Sequence, residues 1–174
     1  SYGGLVICDY LAAHGSAAVA AVILVGAVTS LGRGEKGGRV GPSMRAAIPG
    51  AMSEVPREAV SALGSFGNAL TGAAEDAGVA SQALFGASLS TPPRVRAALF
   101  ARTVSNDDLL SDLDVPVLVL HGADDSVVDV SAAHHVASLV PRVTTSIWDG
   151  VGHGPFVEDP DRFVDEVARF AQSG

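Results

Sequence analysis

The hydrophobic and polar positions divide the chain into two ordered regions, separated by a long alanine-rich stretch. From Tyr2 to His14 the segment YGGLVICDYLAAH sets Leu5, Val6, Cys8 and Leu11 at helical spacing and closes at Gly15, which predicts a mostly buried helix directly after Ser1. The run AVILVGAV, Ala21 to Val28, is continuous and β-branched, as in a parallel strand covered on both faces. From Val115 strands and helices alternate again. VPVLVLHG predicts a buried strand ending in a turn, VSAAHHVASLV a helix, VTTSIWD a second strand and DPDRFVDEVARFA a terminal helix. In that last helix Phe163, Val167, Phe170 and Ala171 share one face. Such alternation predicts an α/β fold with a doubly wound, mostly parallel sheet.

The middle of the chain reads differently. LGRGEKGGRVG, Leu31 to Gly41, holds five glycines and predicts a mobile loop. From Pro42 to Asp112 no strand pattern appears. PSMRAAIPGAM, PREAVSALGSFGNAL, AEDAGVASQALFG and PPRVRAALFARTV predict short helices punctuated by Pro and Gly. The organisation expected is therefore a core from residues 1–30 and 113–174, with a helical lid inserted at residues 31–112.

Composition narrows the classes of function. A chain of 174 residues suits one domain with a sizeable core. A formal net charge of −8, with 11 scattered Lys and Arg, leaves no basic stripe for a phosphate backbone, so nucleic acid is not an expected partner. The apolar stretch Ala17–Val28 is shorter than the ~20 residues a spanning helix needs, so no membrane association is expected and a cytoplasmic location is the reading. The single cysteine, Cys8, has no intrachain disulfide partner and reads as a small core residue. No Cys/His cluster shows zinc-ligand spacing, and neither a metal nor a cofactor is expected.

Two loops lie just past predicted strands, where open α/β sheets gather their binding sites. One is HGADDSVV, with Asp124 and Asp125; the other is GVGHGPF, where His153 stands between glycines in a loop that can aim the imidazole. With Ser1 these give the chain order serine, acid, histidine. On SYGG, VPVLVLHGADDSVV and GVGHGPFVEDPDRF the chain resembles an α/β-hydrolase from its nucleophile elbow to its C-terminus. Only S-Y-G of the family's G-x-S-x-G elbow is present.

The resemblance implies a serine hydrolase that cleaves a carboxylic ester or related acyl bond of a small molecule. Ser1 would be the nucleophile, His153 the base and Asp125 its orienting acid, with the Tyr2 N–H in the oxyanion hole. Asp124 competes for the acid role, but the family places the acid three residues after the loop glycine, which from Gly122 gives Asp125. Phe66, Phe85 and Phe156 are expected in the substrate pocket. His121 is expected to brace the acid loop, Asp129 to cap a helix, and Glu158 with Asp159 to mark the entry of the last helix.

Because the family's leading strands stand upstream of the elbow, a partner is also expected: an N-terminal fragment of the same precursor, separated by a cut before Ser1 in which the Ser1 hydroxyl itself attacks. The alternatives are a specialised member of the fold, such as a carbon–carbon hydrolase, amidase or cyclase, and a ligand receptor with a slow triad.

Overall fold

The computed structural model describes residues 1–72 and 77–172. Helix α1 (Gly3–His14) leads to strand β1 (Val22–Val25). Helices α2 (Pro42–Ala51), α3 (Pro56–Thr71), α4 (Ala77–Ser90), α5 (Pro93–Phe100) and α6 (Asp107–Ser111) follow. The chain then returns to β2 (Val117–Gly122), α7 (Val130–Leu139), β3 (Val143–Trp148), the single turn α8 (Pro155–Glu158) and α9 (Pro160–Gln172). The strands form one parallel sheet in the order β1-β2-β3, with Val22 opposite Val117 and Val117 opposite Val143.

Side-chain alternation along the strands explains how the sheet is covered. Val22 and Leu24 of β1 and Val117 and Val119 of β2 face Cys8 and Leu11 of α1 and Ala133 and Val136 of α7. The intervening Leu118 and Leu120, with Trp148, face Phe163, Val167 and Phe170 of α9. Every residue of β2 is buried, as its unbroken apolar run requires. Trp148 is enclosed, with its indole N–H donating to Ser146 Oγ and to Glu166, both at 3.0 Å, and the Arg162 guanidinium 3.9 Å from the ring centroid. Cys8 sits in the α1 layer, where burial, helped by neighbouring Asp9, pushes its thiol up to about 11. Among the described residues no helix is long and apolar enough to cross a membrane.

The structure departs from the sequence reading in several places. Strand β1 stops at Val25 instead of Val28, because Gly26 takes φ +51 and turns the chain out of the sheet. The glycine-rich stretch, expected as a mobile loop, is packed: it carries a 3₁₀ turn at Lys36–Gly38, and single bridges pair Leu31 with Val104 and Val40 with Val128. In addition, the Thr29 N–H donates to the Gly37 carbonyl at 2.9 Å. Helix α5 ends at Phe100, short of Val104, which has left the helix for its bridge to Leu31. The expected start of α4 at residues 74–76 lies outside the described residues. Two elements, α6 and α8, are too short to carry a periodic signal and were not anticipated.

Candidate active site

The carboxyl ends of β2 and β3 are held together by their loops. The Ala123 N–H donates to the Trp148 carbonyl and the Asp124 N–H to the Val151 carbonyl, each at 2.9 Å. Gly122 permits this approach: a Cβ there would overlap the carbonyl oxygens of Gly152 and Val151. The two loops therefore meet backbone to backbone, which brings Asp125 and His153 face to face.

Asp125 is buried, and both of its oxygens are occupied. Oδ1 accepts from the N–H groups of Val127 at 2.8 Å and Val128 at 2.9 Å. Oδ2 lies 2.7 Å from His153 Nδ1 and 3.0 Å from His121 Nε2. His121 Nε2 is also 2.9 Å from the Val128 carbonyl, an oxygen that only accepts, so this nitrogen carries the proton and shares it between the two oxygens. Burial pushes the Asp125 carboxyl up. The donors from His121 and His153, the His153 charge and the Val128 N–H together overcome that and hold it well below the usual carboxylate range. An ionised Asp125 in turn requires the proton on His153 Nδ1, which leaves Nε2 as the basic nitrogen. Among the described residues Nε2 has no hydrogen-bond partner. Asp124, the competing acid, is exposed, and among the described residues its carboxylate makes no hydrogen bond to His153.

The histidine loop has a brace that the sequence reading missed. The Glu158 carboxylate, at the end of α8, accepts from the Gly152 N–H at 2.9 and 3.2 Å. Its position before Asp159 and Pro160 suggested only an acid at a helix entry; a loop N–H one residue before His153 leaves no mark in a hydropathy pattern. Asp129 caps α7 as expected, accepting from the Ser131 N–H at 2.9 Å.

Ser1 and His153 both rest on the segment that leaves β1. The imidazole lies over Gly26, where an added Cβ would stand 3.1 Å from both Cε1 and Nδ1. Two residues on, the Val28 N–H donates to the Ser1 carbonyl at 3.0 Å. Tyr2 then opens α1, and among the described residues its own N–H makes no hydrogen bond, as is usual at a helix start. The Tyr2 hydroxyl accepts from Arg102 at 3.1 Å, and Arg102 also pairs with Asp9 at 2.7 and 2.9 Å, which ties α1 to the chain after α5.

A cavity of about 220 Å³ opens on Ser1 and Tyr2, walled by residues of α2, α3 and α5 that include Met44, Ile48, Leu63, Phe66 and Phe100. A larger hollow of about 890 Å³ between α2 and α3 is lined by none of Ser1, Asp125 and His153, whereas Ser1 lines the smaller one. Of the three phenylalanines expected in the pocket, Phe66 lines this cavity and the other two do not. The Phe85 ring points toward Gly64, and half-exposed Phe156 packs edge-on against Phe163 at 6.1 Å. Apolar character in the lid points Phe85 to the pocket, and adjacency to the histidine loop points Phe156 there, but neither signal says which way a helix face turns.

Comparison with known proteins identifies the fold and the family. Over 99% of its length the chain superposes on the esterase RhEst1 from Rhodococcus sp. ECU1013, with a TM-score of 0.96 and 70% identity, and it covers 63% of that protein. It is 33% identical over 63 residues to a pimeloyl-[acyl-carrier protein] methyl ester esterase of Aliivibrio salmonicida, a match of 36% of this chain and 24% of that protein. It is 38% identical over 77 residues to a non-heme chloroperoxidase of Streptomyces lividans, a match of 44% of this chain and 28% of that protein. The chain thus spans less than two thirds of these relatives. The model of the alpha/beta hydrolase family matches residues 1–166, and the chain belongs to that family.

Proposed function

We propose that the chain carries the nucleophile, base and acid of a serine hydrolase that cleaves carboxylic esters of small molecules through an acyl-enzyme. The observation that carries this reading is the buried Asp125–His153 pair at 2.7 Å, whose free Nε2 lies at the strand end that also holds Ser1. Esterases among the similar proteins support the choice of reaction.

The chemistry follows from the protonation states. Ser1 Oγ attacks the ester carbonyl as its proton passes to His153 Nε2, and Asp125 stabilises the resulting imidazolium. Negative charge gathers on the former carbonyl oxygen, where the unpaired Tyr2 N–H at the start of α1 donates to it. The imidazolium returns its proton to the leaving alkoxide, which departs as the alcohol and leaves the acyl group on Ser1. Water then attacks the acyl carbonyl, giving its proton to Nε2; the imidazolium passes a proton to Ser1 Oγ as the acyl–Oγ bond breaks, and the carboxylic acid leaves with the serine restored.

Helices α2, α3 and α5 wall the cavity and act as the lid that selects the acyl part. Ser1→Ala should lower kcat/KM for p-nitrophenyl acetate by at least about a thousandfold. Retention of the rate in that variant would place the nucleophile elsewhere.

A further inference from the structure

The wall of the Ser1 cavity contains one charged side chain, Arg96 of α5, and it is nine-tenths buried at 9% exposure. A guanidinium carries five N–H donors and stays charged, so its partners can be accounted for in full. Nε donates to the Ala51 carbonyl at 2.6 Å, and Nη1 donates to the Ser88 carbonyl at 2.9 Å and to the Thr91 carbonyl. These oxygens sit at or just beyond the ends of α2 and α4, and they occupy three of the five donors.

Both hydrogens of Nη2 remain. Among the described residues they have no acceptor, and Nη2 is not one of the sealed-off polar atoms, so it opens onto free space. No carboxylate pairs with Arg96 among the described residues either. A buried cation held only by carbonyl dipoles, with two donors spare, is an incomplete ion site. The rest of the wall is mainly apolar, with Met44, Ile48, Leu63, Phe66 and Phe100 lining the same cavity as Ser1 and Arg96.

We infer that this cavity selects esters whose acyl part ends in a second carboxylate: half-esters of short dicarboxylic acids, with the distal carboxylate on Arg96 Nη2 and the ester carbonyl at Ser1. The cavity volume of about 220 Å³ keeps the acyl chain short, since it is below the ~300–1,000 Å³ of pockets for drug-sized ligands. The apolar residues take the methylenes, and the guanidinium takes the charge. This assignment rests on the reading of Ser1 as nucleophile.

The test compares two esters of equal chain length, p-nitrophenyl pentanoate and the mono-p-nitrophenyl ester of glutaric acid, on the intact wild-type protein. The charged ester should show a kcat/KM higher by about tenfold or more. Arg96→Gln should cut that ratio by about the same factor, and Arg96→Lys should restore part of it. Equal rates, or a preference for pentanoate, in a wild-type protein that hydrolyses both would overturn the Arg96 assignment and leave Ser1 standing.

Binding is read separately, by calorimetry of monomethyl glutarate and methyl pentanoate on Ser1→Ala. Tighter binding of the charged ester that disappears on adding Arg96→Gln supports the site even if Ser1 proves not to be the nucleophile. Equal binding counts against it whatever the chemistry.

Discussion

Asp125→Asn should lower kcat/KM for ester hydrolysis by about ten-thousandfold. The carboxylate is the acceptor for two histidine donors and two backbone donors, and an amide cannot serve all four. If the amide oxygen takes the Val127 and Val128 N–H groups, its NH₂ must face His121 Nε2–H and His153 Nδ1. The His153 ring can then answer only by accepting at Nδ1 and carrying its proton on Nε2, where it cannot receive one from Ser1.

The same substitution has a signature in stability. Because the Asp125 pKa is depressed in the folded protein, its contribution is fully present above the ordinary carboxylate range and is lost as pH falls through the depressed folded value. The gap in Tm between wild type and Asp125→Asn should therefore be wide at neutral pH and narrow on strong acidification. Steady-state kinetics and melting curves across pH check both statements. A variant that keeps its rate within about tenfold would remove Asp125 from the mechanism.

Gly122→Ala is expected to be nearly as damaging, for a reason that involves no catalytic group. The added Cβ would overlap two backbone carbonyls of the histidine loop, at Val151 and Gly152, and a carbonyl in a hydrogen-bonded loop cannot swing aside as a side-chain tip can. The β2 and β3 loops must separate, which strains the Asp124 N–H bond to Val151 and draws His153 from Asp125. A loss of about 3 kcal/mol of stability is expected from such overpacking, with activity falling below what the shift in Tm alone explains. Thermal unfolding and kcat measured below the lowered Tm separate the two effects. An unchanged Tm would mean that the loops do not meet at Gly122.

Much of this architecture was legible because it rests on local chemistry. VPVLVLHG and VTTSIWD are strands bounded by turn residues, and α9 is an amphipathic helix with Phe163 and Val167 one turn apart. Asp125 and His153 announced themselves as an acid and a glycine-flanked histidine just past strand ends. What stayed hidden depends on contacts distant in sequence. Glu158 reaches back to Gly152, Arg96 gathers carbonyls from α2 and the end of α4, and the glycine-rich stretch is pinned through Val104 and Val128. Composition described that stretch as mobile; its partners lie beyond the reach of any window.

The same limit explains the aromatic residues. Phe66 lines the cavity that opens on Ser1 because α3 packs on α2, whereas Phe85, in a similar Phe-Gly setting on α4, and Phe156 on α8 face other neighbours.

The central claim is that Ser1 Oγ is a nucleophile activated by His153. Its most direct test is mass spectrometry of the protein after exposure to a fluorophosphonate, with the adduct mapped to a residue. A single phosphonyl group on Ser1, absent from Ser1→Ala and strongly slowed in Asp125→Asn, is the predicted result. No adduct on Ser1 in a protein that still turns over esters would contradict it.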